Sequence, residues 1–336
     1  MSAEPLLRLE AVRVQFRGRR GAVVHAVDGV DLDLWPGEVL ALVGESGCGK
    51  TTLARTVLGL ERPLTGAVRF DGRPLRYDTR SLRTYRRRVQ MVFQDPAGAL
   101  NPRQTIYEAV AEGLRIHGAD HEEQQVADAL AECGLRPPER FLPLYPYEVS
   151  GGQRQRVVIA GAMVLHPRVL VADEPVSSLD ASIRGEILKL MLRLVRDTGI
   201  AILVVTHDLG LAWNLADRIA VMYLGRIVEQ GTTEQLLARP RHPYTRALLS
   251  VVPEIRHVDE QILVGEVPDP TRIPSGCRFH PRCPVLRSGE SSRLGIEGRC
   301  RGDEPALLPV ADAAPGALQL AACHAVPAAV TAAVAG

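Results

Sequence analysis

Lysine is nearly absent from this 336-residue chain: of its 40 basic residues only Lys50 and Lys189 are lysines. Net charge is missing too, at +1 with histidine neutral, so no global field points to nucleic acid. No apolar run reaches the roughly 18–20 residues of a membrane span, and Val157 to Leu165 falls far short. The alanine-rich stretch from Leu318 to Gly336 is long enough but weakly apolar. His324 and Pro327 break it, and it reads as a frayed terminus. No charged-then-apolar leader opens the sequence, which points to the cytosol and to six reduced cysteines. Those cysteines include no tight C-x-x-C pair. The length suits one large domain with an appendage, or two domains, around a substantial core.

What is present is organised around Gly44 to Thr52, GESGCGKTT. Gly44, Gly49, Lys50 and Thr51 fit G-x-x-x-x-G-K-[ST], with an apolar run before them (Val39 to Val43) and a helix-compatible run after (Thr52 to Leu60). The glycines let successive N–H groups from Gly44, Glu45, Ser46, Gly47, Cys48 and Gly49 converge on one anion, and the helix adds its positive end. Lys50 can reach the β- and γ-phosphates, and the Thr51 hydroxyl can ligate Mg²⁺. Where arginine is the default cation, a lysine here is specified by the chemistry. The segment predicts binding of a nucleoside triphosphate.

Upstream, Val12, Val14 and Phe16 alternate with Arg13 and Gln15, and Val23 to Leu34 repeats the strand signal, so an antiparallel sheet is expected first. Phe16 can stack on a base or fill the core; the pattern leaves both open. Ala67 to Phe70 reads as a short strand, and Arg83 to Arg88 as a solvated helix face. Val89 to Phe93 is strand-like and leads to Gln94. Ile106 to Leu135 is helical, with Cys133 as inert packing on its apolar face. Ser150 suits an N-cap, and Gly151, Gly152 and Gln153 open a second helix whose bare N–H groups can meet an anion. Val169 to Ala172 delivers Asp173, placed to coordinate Mg²⁺, and Glu174, placed to polarise a water. Ile200 to Val205 ends at His207, within reach of a γ-phosphate, and Ile219 to Tyr223 pairs with Ile227 to Gln230 as a hairpin around Gly225.

Together these pieces resemble the ATP-binding cassette subunit of an ABC transporter, over roughly residues 6 to 250. The resemblance implies an α/β phosphate-loop NTPase fold: a RecA-like core, an antiparallel β subdomain and a helical subdomain at about 95–160. By it, Gly44 to Thr52, including Thr52, form the Walker A loop, and Gln94 is the Q-loop glutamine that touches Mg²⁺ and the attacking water. Ser150 to Gln153 match the LSGGQ signature, with Val149 in place of leucine. Asp173 is the Walker B acid, Glu174 the catalytic glutamate and His207 the switch histidine, while Ser178, Leu179 and Asp180 form the D-loop. Gly161 departs from the arginine common there. The family sandwiches each ATP between one Walker A loop and the partner's signature, and this chain carries one of each, so a second chain is required.

From about residue 240 the composition shifts towards proline, and Cys277, Cys283, Cys300 and Cys323 appear. His242 to Leu248 and Pro274 to Pro284 resemble the C-terminal extension of oligopeptide/dipeptide importer ATPases, shared with nickel and glutathione importers. The expected division is a cassette at 1–240 and an extension at 241–336. In that subfamily the four cysteines can hold a [4Fe–4S] cluster; four thiolates equally suit zinc, and unligated thiols remain open. The resemblance implies an ATPase driving peptide import from the cytoplasmic face of the inner membrane. It would act with two permeases, a related but different second cassette and an extracytoplasmic binding protein, and without nucleic acid. Nickel, glutathione or another small solute is the alternative cargo. A soluble ABC ATPase acting on nucleic acid or the ribosome is the alternative class, disfavoured by the single cassette.

Overall fold

The computed structural model describes residues 4–18, 21–177, 179–252, 263–311 and 319–329. The chain opens with two long antiparallel strands, β1 (Leu7–Arg17) and β2 (Val23–Leu34). In β1, Leu7 and Leu9 point inward; a register shift then moves the buried phase to Val12 and Val14. A second irregularity between Val14 and Gln15 breaks the alternation again, and Phe16 ends up 38% exposed rather than in the core. After β3 (Val39–Val43), strands β4 (Thr65–Phe70) and β5 (Arg73–Pro74) complete a four-stranded sheet in the order β2-β1-β4-β5.

The second sheet holds β3 together with β6 (Val89–Val92), β7 (Val169–Asp173), β8 (Ala201–Thr206), β9 (Arg218–Tyr223) and β10 (Arg226–Thr232). Its centre runs β9-β3-β8-β7-β6, all parallel. Every residue of β3, β7 and β8 is buried, which is why these segments read as continuous apolar runs without alternation. Helices cover the sheet: α1 (Lys50–Val57), α2 (Thr79–Arg88), α3 (Pro96–Ala99), α4 (Ile106–His117), α5 (Glu122–Glu132), α6 (Gly151–Met163), α7 (Ala181–Thr198), α8 (Leu209–Leu215), α9 (Thr233–Ala238) and α10 (Pro243–Ser250). Helices α4, α5 and α6 pack on one another around Val110, Leu114, Val126, Leu130 and Cys133, the helical insertion expected from the periodicity.

Two expectations need correction. The arginines of α2 are not simply a solvated face. Arg86 donates to the carbonyls of Leu58 and Gly59, and Arg88 pairs with Asp71 while its guanidinium lies 4.7 Å from the Phe70 ring centroid. Nor does the alanine-rich tail simply fray. Residues 319–329 are ordered against the core, and β11 (Leu308–Pro309) and β12 (Leu320–Ala321) extend the main sheet in the order β11-β12-β10. The buried Gln319 amide donates to Glu229 and to the Arg239 carbonyl. Sheet hydrogen bonding therefore runs across the expected boundary at 240. The rest of the tail, 318 and 330–336, and D-loop residue Ser178 lie outside the described residues.

Candidate active site

The register of the parallel strands sets the site. Val43 lies beside Thr206, Asp173 beside Val205, and Val92 beside Ala172. The segments leaving β3, β8, β7 and β6 therefore emerge along one edge, the carboxyl ends of the strands, where open α/β sheets bind ligands.

The loop after β3 is a close-packed turn. A Cβ at Gly44 would stand 2.2 Å from the Met222 carbonyl oxygen, and at Gly49, with φ of +108°, 2.1 Å from that of Ala26. No other residue fits either position. Gly49 caps α1 without a side-chain bond, leaving the first N–H groups of the helix to an anion. The buried Lys50 ammonium curls back over the loop and donates to the carbonyls of Gly44 (2.6 Å) and Glu45 (2.9 Å). Not every loop N–H is free for phosphate: that of Glu45 donates to the Tyr244 hydroxyl at 2.8 Å. Cys48 is buried, which pushes its thiol upward despite Lys50 nearby, and its carbonyl accepts from the Gly225 N–H.

A cavity of about 700 Å³ brings Thr51, Gln94 and Asp173 together with Arg55, Glu61 and Asp95. Asp173 is 9% exposed, and burial followed by the adjacent Glu174 raises its carboxyl above the ordinary range, against the lowering effect of Thr51 and Lys50. A buried carboxylate next to a second anion is a site that gains by taking up a cation. The donor set of hydroxyl, amide oxygen and carboxylate is the hard-oxygen chemistry of Mg²⁺. Glu174 has φ of +50°, a backbone few non-glycine residues adopt, and its N–H donates to the Val205 carbonyl. Its carboxylate receives the His207 ring Nδ1 at 2.5 Å and the His207 backbone N–H at 3.3 Å. The His207 ring is otherwise exposed.

The remaining predicted residues stand apart from that cavity. Ser150 caps α6 in a reciprocal box: its hydroxyl accepts from the Gln153 N–H (3.2 Å), and the Gln153 side chain accepts from the Ser150 N–H (3.0 Å). Gly151 and Gly152 follow as the first helical turn, and none of the four lines the cavity of Thr51 and Asp173. Asp180 sits at the N-cap of α7 with no side-chain cap bond. Thr52 lies on the first turn of α1. Two contacts were not legible in the sequence. Arg282 holds the Glu45 carboxylate with both guanidinium nitrogens, and Tyr244 takes the Glu45 N–H; both come from about 200 or more residues away.

The cysteines of the C-terminal region gather in one neighbourhood. Burial, then Cys323, Cys283 and Cys300, push the Cys277 thiol up to about 12; burial pushes Cys323 up to about 11 and raises Cys283 and Cys300. The Cys277 N–H donates to the Cys300 carbonyl at 3.0 Å. All six cysteines are free. Among the described residues, no three His, Cys, Asp or Glu side chains are grouped to hold a metal ion. The expected cluster-ligand geometry is therefore not met in this arrangement. Cys133 is wholly buried, its thiol pushed up to about 12 by burial, as expected of inert packing.

Loop, buried acid and Glu174–His207 pair on a parallel sheet define a phosphate-loop nucleotide-hydrolysing domain. Residues 27–177 match the ABC transporter family, and residues 228–289 match the oligopeptide/dipeptide transporter C-terminal region. The chain is 44% identical to a putative peptide import ATP-binding protein of Brucella ovis, over 85% of this chain and 91% of that one. It is 42% identical to the putative oligopeptide transport ATP-binding protein YkfD of Bacillus subtilis, over 85% and 90%. Among solved structures, cbiO1 of Clostridium perfringens, part of the transporter complex cbiONQ, aligns with a TM-score of 0.64 at 30% identity, covering 70% of this chain and 92% of that one. The ATP-binding cassette MJ0796, bound to ADP and Pi, aligns at 0.60 with 29% identity, covering 68% and 98%. The chain belongs to the ATP-binding proteins of ABC transporters, in the oligopeptide/dipeptide branch.

Proposed function

We propose that this chain is the ATP-hydrolysing subunit of a peptide importer. The observation that carries the reading is the continuity of the two matched regions: the oligopeptide-type C-terminal region grips the phosphate loop itself, through Arg282 and Tyr244 on Glu45. The loop N–H groups other than that of Glu45, the start of α1 and Lys50 bind the triphosphate, and Lys50 exchanges its loop carbonyls for phosphate oxygens. Thr51, Gln94 and Asp173 would hold Mg²⁺, which when bound offsets phosphate charge. Glu174 accepts the proton of the attacking water, while His207 fixes the carboxylate and reaches the γ-phosphate. Phe16, exposed at the end of β1, is free to stack on the adenine.

Ser150, Gly151, Gly152 and Gln153, with Asp180, complete the site of a second cassette rather than this one. Donors supplied in trans are worth about 10³–10⁵ in rate in GTPases that borrow an arginine. No helix among the described residues is long and apolar enough to cross a membrane. The match to ABC transporter ATP-binding proteins supports a membrane path built by two partner permeases, with this chain bound peripherally on the cytoplasmic face. A different second cassette and an extracytoplasmic binding protein complete the assembly. A glutathione reading is favoured by 44% identity to the glutathione import ATP-binding protein GsiA of Pectobacterium atrosepticum, although this chain spans only 45% of that protein. A [4Fe–4S] cluster on Cys277, Cys283, Cys300 and Cys323, with zinc as the alternative, rests on the match of the C-terminal region to the oligopeptide/dipeptide transporter family, and the four thiols would have to draw closer together to hold it. Anaerobic purification should then yield iron and acid-labile sulfide in equal amount; protein free of both refutes the cluster. Purification from membranes tests the whole reading: two permeases and a second cassette should co-purify, and recovery with ribosomes instead would contradict it.

A further inference from the structure

The loop built to hold a triphosphate contains an acid. Glu45 is its second residue, and a carboxylate there repels the phosphates unless something neutralises it. The structure supplies that something from the far end of the chain. The Arg282 nitrogens stand 2.7 and 3.0 Å from the two Glu45 carboxylate oxygens. Arg282 is 5% exposed, so the pair is screened from solvent on its side, and the carboxylate in turn raises the guanidinium further above its ordinary value.

The grip is rigid because its base is rigid. Arg282 ends a short turn, His280–Arg282, and its N–H donates to the Phe279 carbonyl at 3.0 Å. Phe279 is buried against Tyr223 and Tyr244, with ring centroids 5.2 and 5.3 Å apart, and the Arg282 guanidinium lies 6.0 Å from the Tyr223 ring centroid. The Tyr244 hydroxyl accepts the Glu45 N–H at 2.8 Å, and the Glu45 carbonyl accepts from Lys50 at 2.9 Å. Thus the side chain, N–H and carbonyl of one residue tie the C-terminal region to the lysine that meets phosphate.

We infer that Arg282 and Tyr244 are positioning residues of the nucleotide site: Arg282 cancels the Glu45 charge, and both fix the loop before nucleotide arrives. The inference rests on the reading of this loop as the ATP site. An ordinary structural fastening would also use an ion pair, but its loss would lower the stability of the fold without changing the affinity of the folded chain for ATP.

The experiment is equilibrium binding of Mg-ATP to the full chain as wild type, R282M, E45Q and R282M/E45Q, with steady-state hydrolysis alongside. R282M should raise the ATP Kd on the order of tenfold and raise KM more than it lowers kcat. E45Q, which leaves an extra positive charge by the loop, should tighten binding about two- to threefold. The double variant should recover most of the loss. Because Arg282 is buried, R282K is the second probe: it keeps the charge and should weaken binding by less than about threefold. Wild-type affinity in R282M, a double variant as weak as R282M, or equal loss in R282K and R282M overturns the inference. Failure of the wild type to bind ATP would instead overturn the reading of the site.

Discussion

Glu174 and His207 come from two neighbouring strands and meet only because Asp173 is in register with Val205. Glu174 takes the proton of the attacking water in the proposed reaction and has no part in holding the triphosphate. E174Q should therefore bind Mg-ATP within a fewfold of wild type and lose about 10²–10⁴ in turnover, as measured by phosphate release. Turnover near normal would remove Glu174 from that role. These residues were legible from the sequence because each follows a fully buried apolar run, and such a run can end only at the sheet edge. Phe16 was ambiguous for a physical reason: its alternation with Val12 and Val14 holds in sequence, but the register irregularity after Val14 is invisible there.

At the scale of elements, the start of α10 is fastened to β10. The His242 Nδ1 accepts the Tyr244 N–H at 3.0 Å, and Glu229, buried in β10, accepts the N–H groups of Arg241 and His242 at 2.8 Å each. Burial, then Arg246, lowers the His242 pKa to about 3. A histidine depressed in the fold binds no proton that the unfolded chain binds below its ordinary 6.5. Its contribution to stability is thus complete above pH 6.5 and is lost as pH falls towards 3. From pH 8 to about pH 5 the loss should be about 2 kcal/mol, and H242N, which keeps a capping acceptor, should not show it. Denaturant unfolding at the two pH values decides; parallel pH slopes would contradict the assignment. Strands β11 and β12 were missed because each has two residues, too few for any alternation, and the alanine-rich composition around β12 resembles a loose terminus.

At the scale of the molecule, the chain carries a phosphate loop and a second glycine-opened helix, α6, whose start lies outside the cavity of Thr51 and Asp173. That arrangement makes sense if a second cassette closes the site. G151D should leave Mg-ATP binding by the isolated chain unchanged within about twofold while reducing hydrolysis in the assembled transporter by about 10³. A Cβ at Gly151 has its nearest neighbour at 4.0 Å, so the fold has room for the substitution. Equal loss of binding would place the signature helix in the cis site and contradict the two-chain reading.

The measurement that reaches furthest is titration calorimetry of Mg-ATP into the folded full chain, run in parallel on K50A. Wild type should give saturable heat at one nucleotide per chain, and K50A, whose loop has lost its only ammonium, should bind at least about a hundredfold more weakly. Folded wild-type protein that takes up no nucleotide, or K50A that takes it up equally well, would contradict the reading of this loop as the ATP site.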